Sequence, residues 1–279
     1  MQRITISRIR IRVRFILYPP YGKATDMQKG VKIKDYFDKN YIENLALQLQ
    51  DAGAAIDASL FVKDALSAQD SAFGERLTAI AMAIDRHIPH YPTALTVMSK
   101  TFKEQLPSFA VMYSTGLRYA PFGKYVEIFA PRFPQYFDET VNFVELLTCR
   151  YTGEYAMRPV IEAFPEKSMT TLERWSMSDN AYIRRLSSEC MRVGLPWAKK
   201  LTAAVSQWEK YVAVLDNLVC DYNPYVTRSV ANNLNELYKY DKTLGGELTT
   251  HWQQKFGTKA RSVIKHGTRW LRRSAKIGV

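Results

Sequence analysis

Cysteine is scarce in this chain, with Cys149, Cys190 and Cys220 alone among 279 residues. An odd number with no Cys-x-x-Cys pair argues against a disulfide framework and a cysteine zinc site, and fits a reducing cytoplasm. Histidine is almost as rare, at four residues. None forms His-Glu-x-x-His, and Pro89 separates the close pair His87 and His90, so no metal site is expected and these two read as surface or partly buried side chains. No apolar run approaches the roughly 18 residues that a bilayer span requires. Linkers and low-complexity stretches are missing too, so nothing divides the chain after its first residues.

Two cation-rich segments, one near each end of the sequence, carry no acid. Residues 3–14 carry Arg3, Arg8, Arg10, Arg12 and Arg14. Ile9, Ile11, Val13 and Phe15 alternate with them at a strand period, and Tyr18-Pro19-Pro20-Tyr21-Gly22 then breaks any regular element. An organelle-targeting segment, a nucleic-acid-binding arm and an extension upstream of a start at Met27 are all open. The reading adopted is a poorly ordered extension, residues 1–31, outside the fold. Residues 257–279 are the second acid-free segment, and Arg261, Lys265, Arg269 and Arg272 recur there at the spacing of one helix face. That stripe is either a solvated terminal helix or a phosphate-binding edge. The whole chain carries a net charge of +12, which points to nucleic acid or an anionic surface as partner.

With 47% hydrophobic residues the chain can bury a sizeable core. From residue 32 its apolar periodicity is helical nearly throughout. A first helix is expected around Tyr36, Phe37, Tyr41, Ile42, Leu45, Leu47 and Leu49. Asp57 is positioned to cap a second that buries Leu60, Phe61, Val62 and Leu66. Further helices are expected near 72–88, 92–104, 107–117, 136–149, 153–164, 168–177, 180–192, 196–203, 205–220, 223–239, 246–255 and 259–275. Two segments match each other: Asn180-Ala-Tyr-Ile-Arg-Arg-Leu-Ser-Ser-Glu189 and Asn223-Pro-Tyr-Val-Thr-Arg-Ser-Val-Ala-Asn232, offset by 43 residues. An offset of about 40–47 residues is the period of HEAT-type helix pairs. The expected fold is therefore all-α, a HEAT-like helical-repeat solenoid over 32–279 with a concave basic face.

Three stretches carry the chemistry. They are Thr152-Gly-Glu154 through Arg158 to Ile161, Trp175 through Arg184-Arg185 and Glu189 to Arg192 and Leu195-Pro196-Trp197, and Asp221 through Tyr225, Arg228 and Asn232-Asn233 to Glu236. Arg185 and Glu189 lie four apart on one helix face, and Arg192 continues it. In the second repeat Arg228 and Asn232 occupy the equivalent face. Side by side, these faces would flank a carboxylate with arginines. The bland alternative is a solvated Arg–Glu pair, and for Trp197 a packed core residue.

These stretches resemble the AlkC family of alkylpurine-type DNA glycosylases, relatives of AlkD with a HEAT-like fold. The resemblance runs from about Lys32 to the C-terminus and is most specific in the middle hundred residues, where Ser229-Val230-Ala231-Asn232-Asn233-Leu234-Asn235 matches closely. It implies catalytic roles for Glu154, Glu189 and Trp197, and a DNA-facing surface of Arg158, Arg184, Arg185, Arg192, Arg228 and Asn232, with Lys265 and Arg269 added from the basic stripe. Four departures stand out: Tyr182 in place of histidine, Cys190 in place of glycine, Val193-Gly194 in place of Pro-Arg, and Thr227 in place of a second arginine. The loop before Trp197 has thus lost a cation. The resemblance also implies a short form without the immunoglobulin-like domain that some members add.

The implied substrate is alkylated DNA, taken as a duplex by a monomer with no cofactor. A cationic base such as 3-methyladenine or 3-methylcytosine leaves readily, so the barrier lies in the oxocarbenium charge that develops on the sugar. Carboxylates near the sugar stabilise that charge and orient water, and an aromatic face suits a cationic nucleotide. A non-catalytic HEAT scaffold for nucleic acid or protein stays open, because fold alone does not decide function. A membrane-surface role would need an amphipathic N-terminal helix that the alternation does not support. The enzymatic reading requires Glu154 and Glu189 to converge within a basic hollow. Exposed carboxylates favour it, and carboxylates sealed against arginines favour the scaffold.

Overall fold

The computed structural model describes residues 32–277, the side chains of 275–277 excepted; the expected extension, residues 1–31, lies outside the described residues. Among the described residues there is no strand. Short polar side chains start many of the helices by accepting the first free backbone N–H groups. Asp38 accepts from Tyr41 N at 2.8 Å and opens α1 (Lys39–Asp51). Asp57 accepts from Ser59 N and Leu60 N and opens α2 (Ala58–Ala65), as expected from its position. That helix is short and buries only Phe61 and Ala65; Leu60, expected inside, faces solvent.

The remaining helices are α3 (Phe73–His87), α4 (Tyr91–Lys100), α5 (Ala120–Phe129), α6 (Phe137–Thr148), α7 (Glu154–Ala163), α8 (Pro165–Ser176), α9 (Ala181–Glu189), α10 (Trp208–Leu218), α11 (Pro224–Tyr240), α12 (Lys242–Phe256), α13 (Arg261–Gly267) and α14 (Arg269–Ile277). They stack in two layers. In one, α3 packs on α5, α5 on α7, α9 on α11 and α11 on α13. In the other, α4 packs on α6 and α8 on α10, while α8·α9, α10·α11 and α11·α12 join the layers. This is a helical-repeat solenoid. The 43-residue offset in the sequence is one step along it: Asn180 and Asn223 cap α9 and α11 alike, accepting from Tyr182 N at 3.0 Å and Tyr225 N at 2.9 Å. Leu186, Leu215, Leu218, Val230 and Leu234 are fully buried between these repeats. Each contributes about 2 kcal/mol of apolar burial.

Three expected helices differ. Residues 107–117 form only 3₁₀ turns at Phe109–Val111 and Thr115–Tyr119, followed by α5, which the sequence reading missed. Pro121 sits in the first turn of α5, where its missing N–H is harmless. Residues 196–203 are not helical but part of a long loop from Cys190 to Gln207. The expected 259–275 helix is broken after Gly267, whose backbone presses on α11; a Cβ there would lie 2.6 Å from Leu234 Cδ2.

Candidate functional site

Glu154 is the first residue of α7 and Glu189 the last of α9. Both carboxylates reach one guanidinium, that of Arg185 in α9. Arg185 donates from Nη1 to Glu154 Oε2 at 3.4 Å and from Nη2 to Glu154 Oε1 at 3.5 Å, and its Nη2 lies 3.8 Å from Glu189 Oε1. Arg185 Nη1 also reaches Thr152 Oγ1 at 3.5 Å. On its other side Glu189 Oε1 accepts from Arg192 Nη1 at 2.5 Å, and Glu189 Oε2 accepts from the Ser229 hydroxyl of the next repeat at 2.6 Å. Arg185 thus lies between the two acids.

The cluster is sealed rather than open: Glu154 is 2% exposed and Glu189 6%. Burial opposes ionisation of Glu189, but the Arg185 and Arg192 charges and the Ser229 hydrogen bond outweigh it and hold its carboxyl below the ordinary range. Burial likewise works against the Arg185 charge, and the two glutamates reverse that effect. Arg192 Nε is buried with no hydrogen-bond partner among the described residues. Such an orphan donor costs about 1–3 kcal/mol.

Trp197 stands out from this cluster at 98% exposure. Its backbone is left-handed, φ +60°, a strained conformation for so bulky a residue. The loop that presents it is braced from α7. Tyr155 donates its hydroxyl to Pro196 O at 3.1 Å. Arg158 reaches four carbonyls of the same loop, donating to Cys190 O and Arg192 O from Nη1 and to Val193 O and Lys199 O from Nη2. Arg158 is thus buried, not on a surface as expected; its guanidinium holds the loop that carries Trp197. Arg184 is also buried. It pairs with Asp221 at 2.6 Å, donates to Ser178 O and Asp179 O, and lies 4.9 Å from the Tyr222 ring centre. It ties the turn before α9 to the turn before α11.

The other expected cations continue outward from Glu189. Arg192 approaches Glu236 at 4.0 Å, which Lys239 pairs at 2.8 Å. Arg269 donates to Asn232 Oδ1 at 2.9 Å and so joins α14 to α11. Burial lowers the basicity of His266, and the nearby charges of Arg269, Arg228 and Arg272 lower it further. Arg228 and Lys265 are exposed and make no ion pair among the described residues. Gly194 opens room for Glu236, whose Oε2 would lie 2.6 Å from a Cβ there. The sequence reading assigned no role to Ser229, which it quoted only within a matching run and which bonds Glu189, and none to Tyr155, which braces the Trp197 loop.

Among the described residues no group of histidines, cysteines and acids could hold a metal ion, and no helix is long and apolar enough to cross a membrane.

No family model matches the chain. It is 29% identical over 245 residues to the uncharacterized protein YhaZ of Bacillus subtilis (strain 168), a match covering 86% of this chain. It superposes with TM-score 0.72 and 24% identity, again over 86% of its length, on the alkylpurine DNA glycosylase AlkC of Pseudomonas fluorescens bound to DNA containing an abasic site analog. The chain spans 64% of the length of each of these proteins. The structural likeness establishes a shared helical solenoid fold, as the sequence resemblance implied.

Proposed function

We propose that this protein is an AlkC-like DNA glycosylase that hydrolyses the bond between deoxyribose and a cationic N-alkylated base. One observation carries the reading: Glu154 and Glu189, from different repeats, bracket the single Arg185, and the loop after α9, braced from α7, presents an exposed, strained Trp197. Strain of this kind persists where surrounding structure enforces it, and it concentrates at functional sites. Arg185 holds both acids in place, and with Arg192 and Ser229 it keeps Glu189 ionised. On DNA binding the acids face the sugar, where they stabilise the oxocarbenium charge and orient the attacking water. Trp197 lies against the cationic base. Arg228, Lys265 and Arg269 take backbone phosphates of the duplex. The likeness to a DNA-bound glycosylase supports this assignment.

A second reading rests on the burial of the acids. Under it Glu154, Arg185, Glu189 and Arg192 are a structural ion-pair network of a scaffold that binds without chemistry.

Duplexes carrying 3-methyladenine or 3-methylcytosine separate the two. Mass spectrometry of the supernatant is expected to show free base with the wild type. Glu154→Gln and Glu189→Gln should each lose at least about a hundredfold in release while still binding a duplex with an abasic analogue. Undiminished release by both variants defeats the proposed roles, and no release by the wild type favours the scaffold.

A further inference from the structure

Residues 101–119 connect α4 to α5 and form only short 3₁₀ turns, yet they are bonded to the starts of α7, α9 and α11. At the turn before α7, Leu106 N donates to Cys149 O at 2.9 Å, and Arg150 Nε donates to Lys103 O at 2.6 Å. Gly116 presses so closely on the same turn that a Cβ would lie 2.5 Å from Arg150 O. At the start of α9, Asn180 Nδ2 donates to Gln105 Oε1 at 2.7 Å, and the Tyr182 hydroxyl donates to Leu106 O at 3.0 Å.

Phe109 carries the segment on to the next repeat. Its ring is stacked between the equivalent tyrosines of two repeats, with centres 4.1 Å from Tyr182 and 4.7 Å from Tyr225. One ring thus fills the step from α9 to α11 at their starts. In a solenoid each repeat contacts only its neighbours, so the steps are set pair by pair. Phe109 adds a tie from outside that series. Sliding or spreading α9 against α11 would open one of its two stacks, and aromatic pairs lose their attraction once the ring centres part beyond about 7 Å.

The same register sets a buried bond of the acid cluster. Tyr182 and Glu189 lie seven apart, two turns along one face of α9, and Tyr225 and Ser229 lie four apart on one face of α11. The Ser229 hydroxyl donates to Glu189 Oε2 at 2.6 Å and lies 3.0 Å from Ser188 Oγ. Both contacts cross from α11 to α9, about 10 Å along α9 from the ring stack.

We propose that residues 101–119 are an inter-repeat tie and that Phe109 is its positioning residue: by stacking on Tyr182 and Tyr225 it fixes the register at which Ser229 of α11 meets Glu189 of α9. Phe109 acts through the two helices and not on substrate. The bearing of that register on catalysis rests on the reading that Glu189 acts on a bound sugar; the tie itself does not.

Hydrogen exchange and single-turnover base release from a duplex containing 3-methyladenine, measured on Phe109→Leu and Phe109→Tyr, test this. Leucine keeps an apolar side chain and removes the ring, whereas tyrosine keeps the ring. In Phe109→Leu the amides of α9 and α11 should exchange about tenfold faster, the scale of one lost aromatic pair, while those of α3 stay as in the wild type. Base release should slow by about tenfold or more, with affinity for a duplex containing an abasic analogue within about twofold, because a small misplacement at the reacting centre is costly where binding is not. Phe109→Tyr should restore both readings. Unchanged exchange in Phe109→Leu, or no rescue by Phe109→Tyr, overturns the tie. Faster exchange with release as in the wild type overturns the positioning role and leaves the enzymatic reading standing. No release by the wild type overturns the enzymatic reading, and with it the catalytic bearing of Phe109; exchange alone then decides the tie.

Discussion

Glu189 illustrates how single side chains set the site. It is nearly as buried as a core leucine, yet two arginines and a serine hold it ionised. Removing its charge leaves Arg192 facing no carboxylate but Glu236, at 4.0 Å. Breaking a buried ion pair from one side costs about 3 kcal/mol or more, so Glu189→Gln should be destabilised by about that amount at neutral pH. The sign of the pH effect follows from the lowered pKa. The folded protein keeps the carboxylate charged below the ordinary 4.5, where the unfolded chain has already taken up a proton. The stabilisation is therefore complete above about 4.5 and declines as pH falls through the lower folded value. Urea midpoints at pH 7 and near pH 3 should show the gap between wild type and Glu189→Gln closing in acid. A constant gap would mean that the arginines do not hold the charge. The sequence revealed the Glu–Arg partners through their spacing of three and four residues. It could not reveal their burial, because spacing fixes the face of α9 but not what another repeat lays over it. For the same reason Arg158 and Arg184 looked like surface cations, although each is turned inward to backbone carbonyls.

The helix as a unit explains why Glu154 is where it is. Gly153 precedes α7 and lets its first turn nestle against α6 and α9. A Cβ at 153 would lie 2.9 Å from Val144 Cγ1 and 3.2 Å from both Leu186 methyls. None of these atoms can move far in a packed core. Gly153→Ala should cost about 1–3 kcal/mol, at about 2–4 °C of Tm per kcal/mol for a domain of this size. It should also move Glu154 away from Arg185 and slow base release more than the stability loss alone explains. Thermal melts alongside single-turnover release check this, and an unchanged Tm would show that α7 has room to shift. Most helices were legible from apolar periodicity and one from its cap, Asp57, whereas Asn180 and Asn223 showed only as matching positions and prove to open helices too. Residues 107–117 and 196–203 were not, because both segments are shaped by tertiary contacts. Phe109 is fixed by stacking between tyrosines 73 and 116 positions away in sequence, Tyr182 and Tyr225, and the Trp197 loop by Arg158. Local composition carries neither signal.

Across the whole molecule, a net charge of +12 says that polyanions will be attracted and not which cations hold them. The structure sorts the arginines by what they already bond. Arg158 and Arg184 are buried against carbonyls and Asp221, whereas Arg228 and Lys265 are exposed without an ion pair among the described residues. The two groups must respond differently to salt. A cation that neutralises a phosphate releases a condensed counterion, and each such contact adds about 0.9 to the slope of log K against log salt on duplex, or about 0.7 on a single strand. Arg228→Ala with Lys265→Ala should flatten that slope by about 1.8 on duplex and leave Tm nearly unchanged. The same pair measured on single strands should lose about 1.4, so the ratio of the two losses reports which form fits the face. Arg158→Ala should do the reverse: the loop carrying Trp197 loosens, Tm falls, and the salt slope stays as in the wild type. Fluorescence anisotropy between 50 and 200 mM salt, the range over which such contacts change affinity steeply, separates these outcomes. An unaltered slope in the double variant would move the phosphate-gripping surface elsewhere on the solenoid, because two exposed cations touching phosphates cannot be removed without releasing fewer ions.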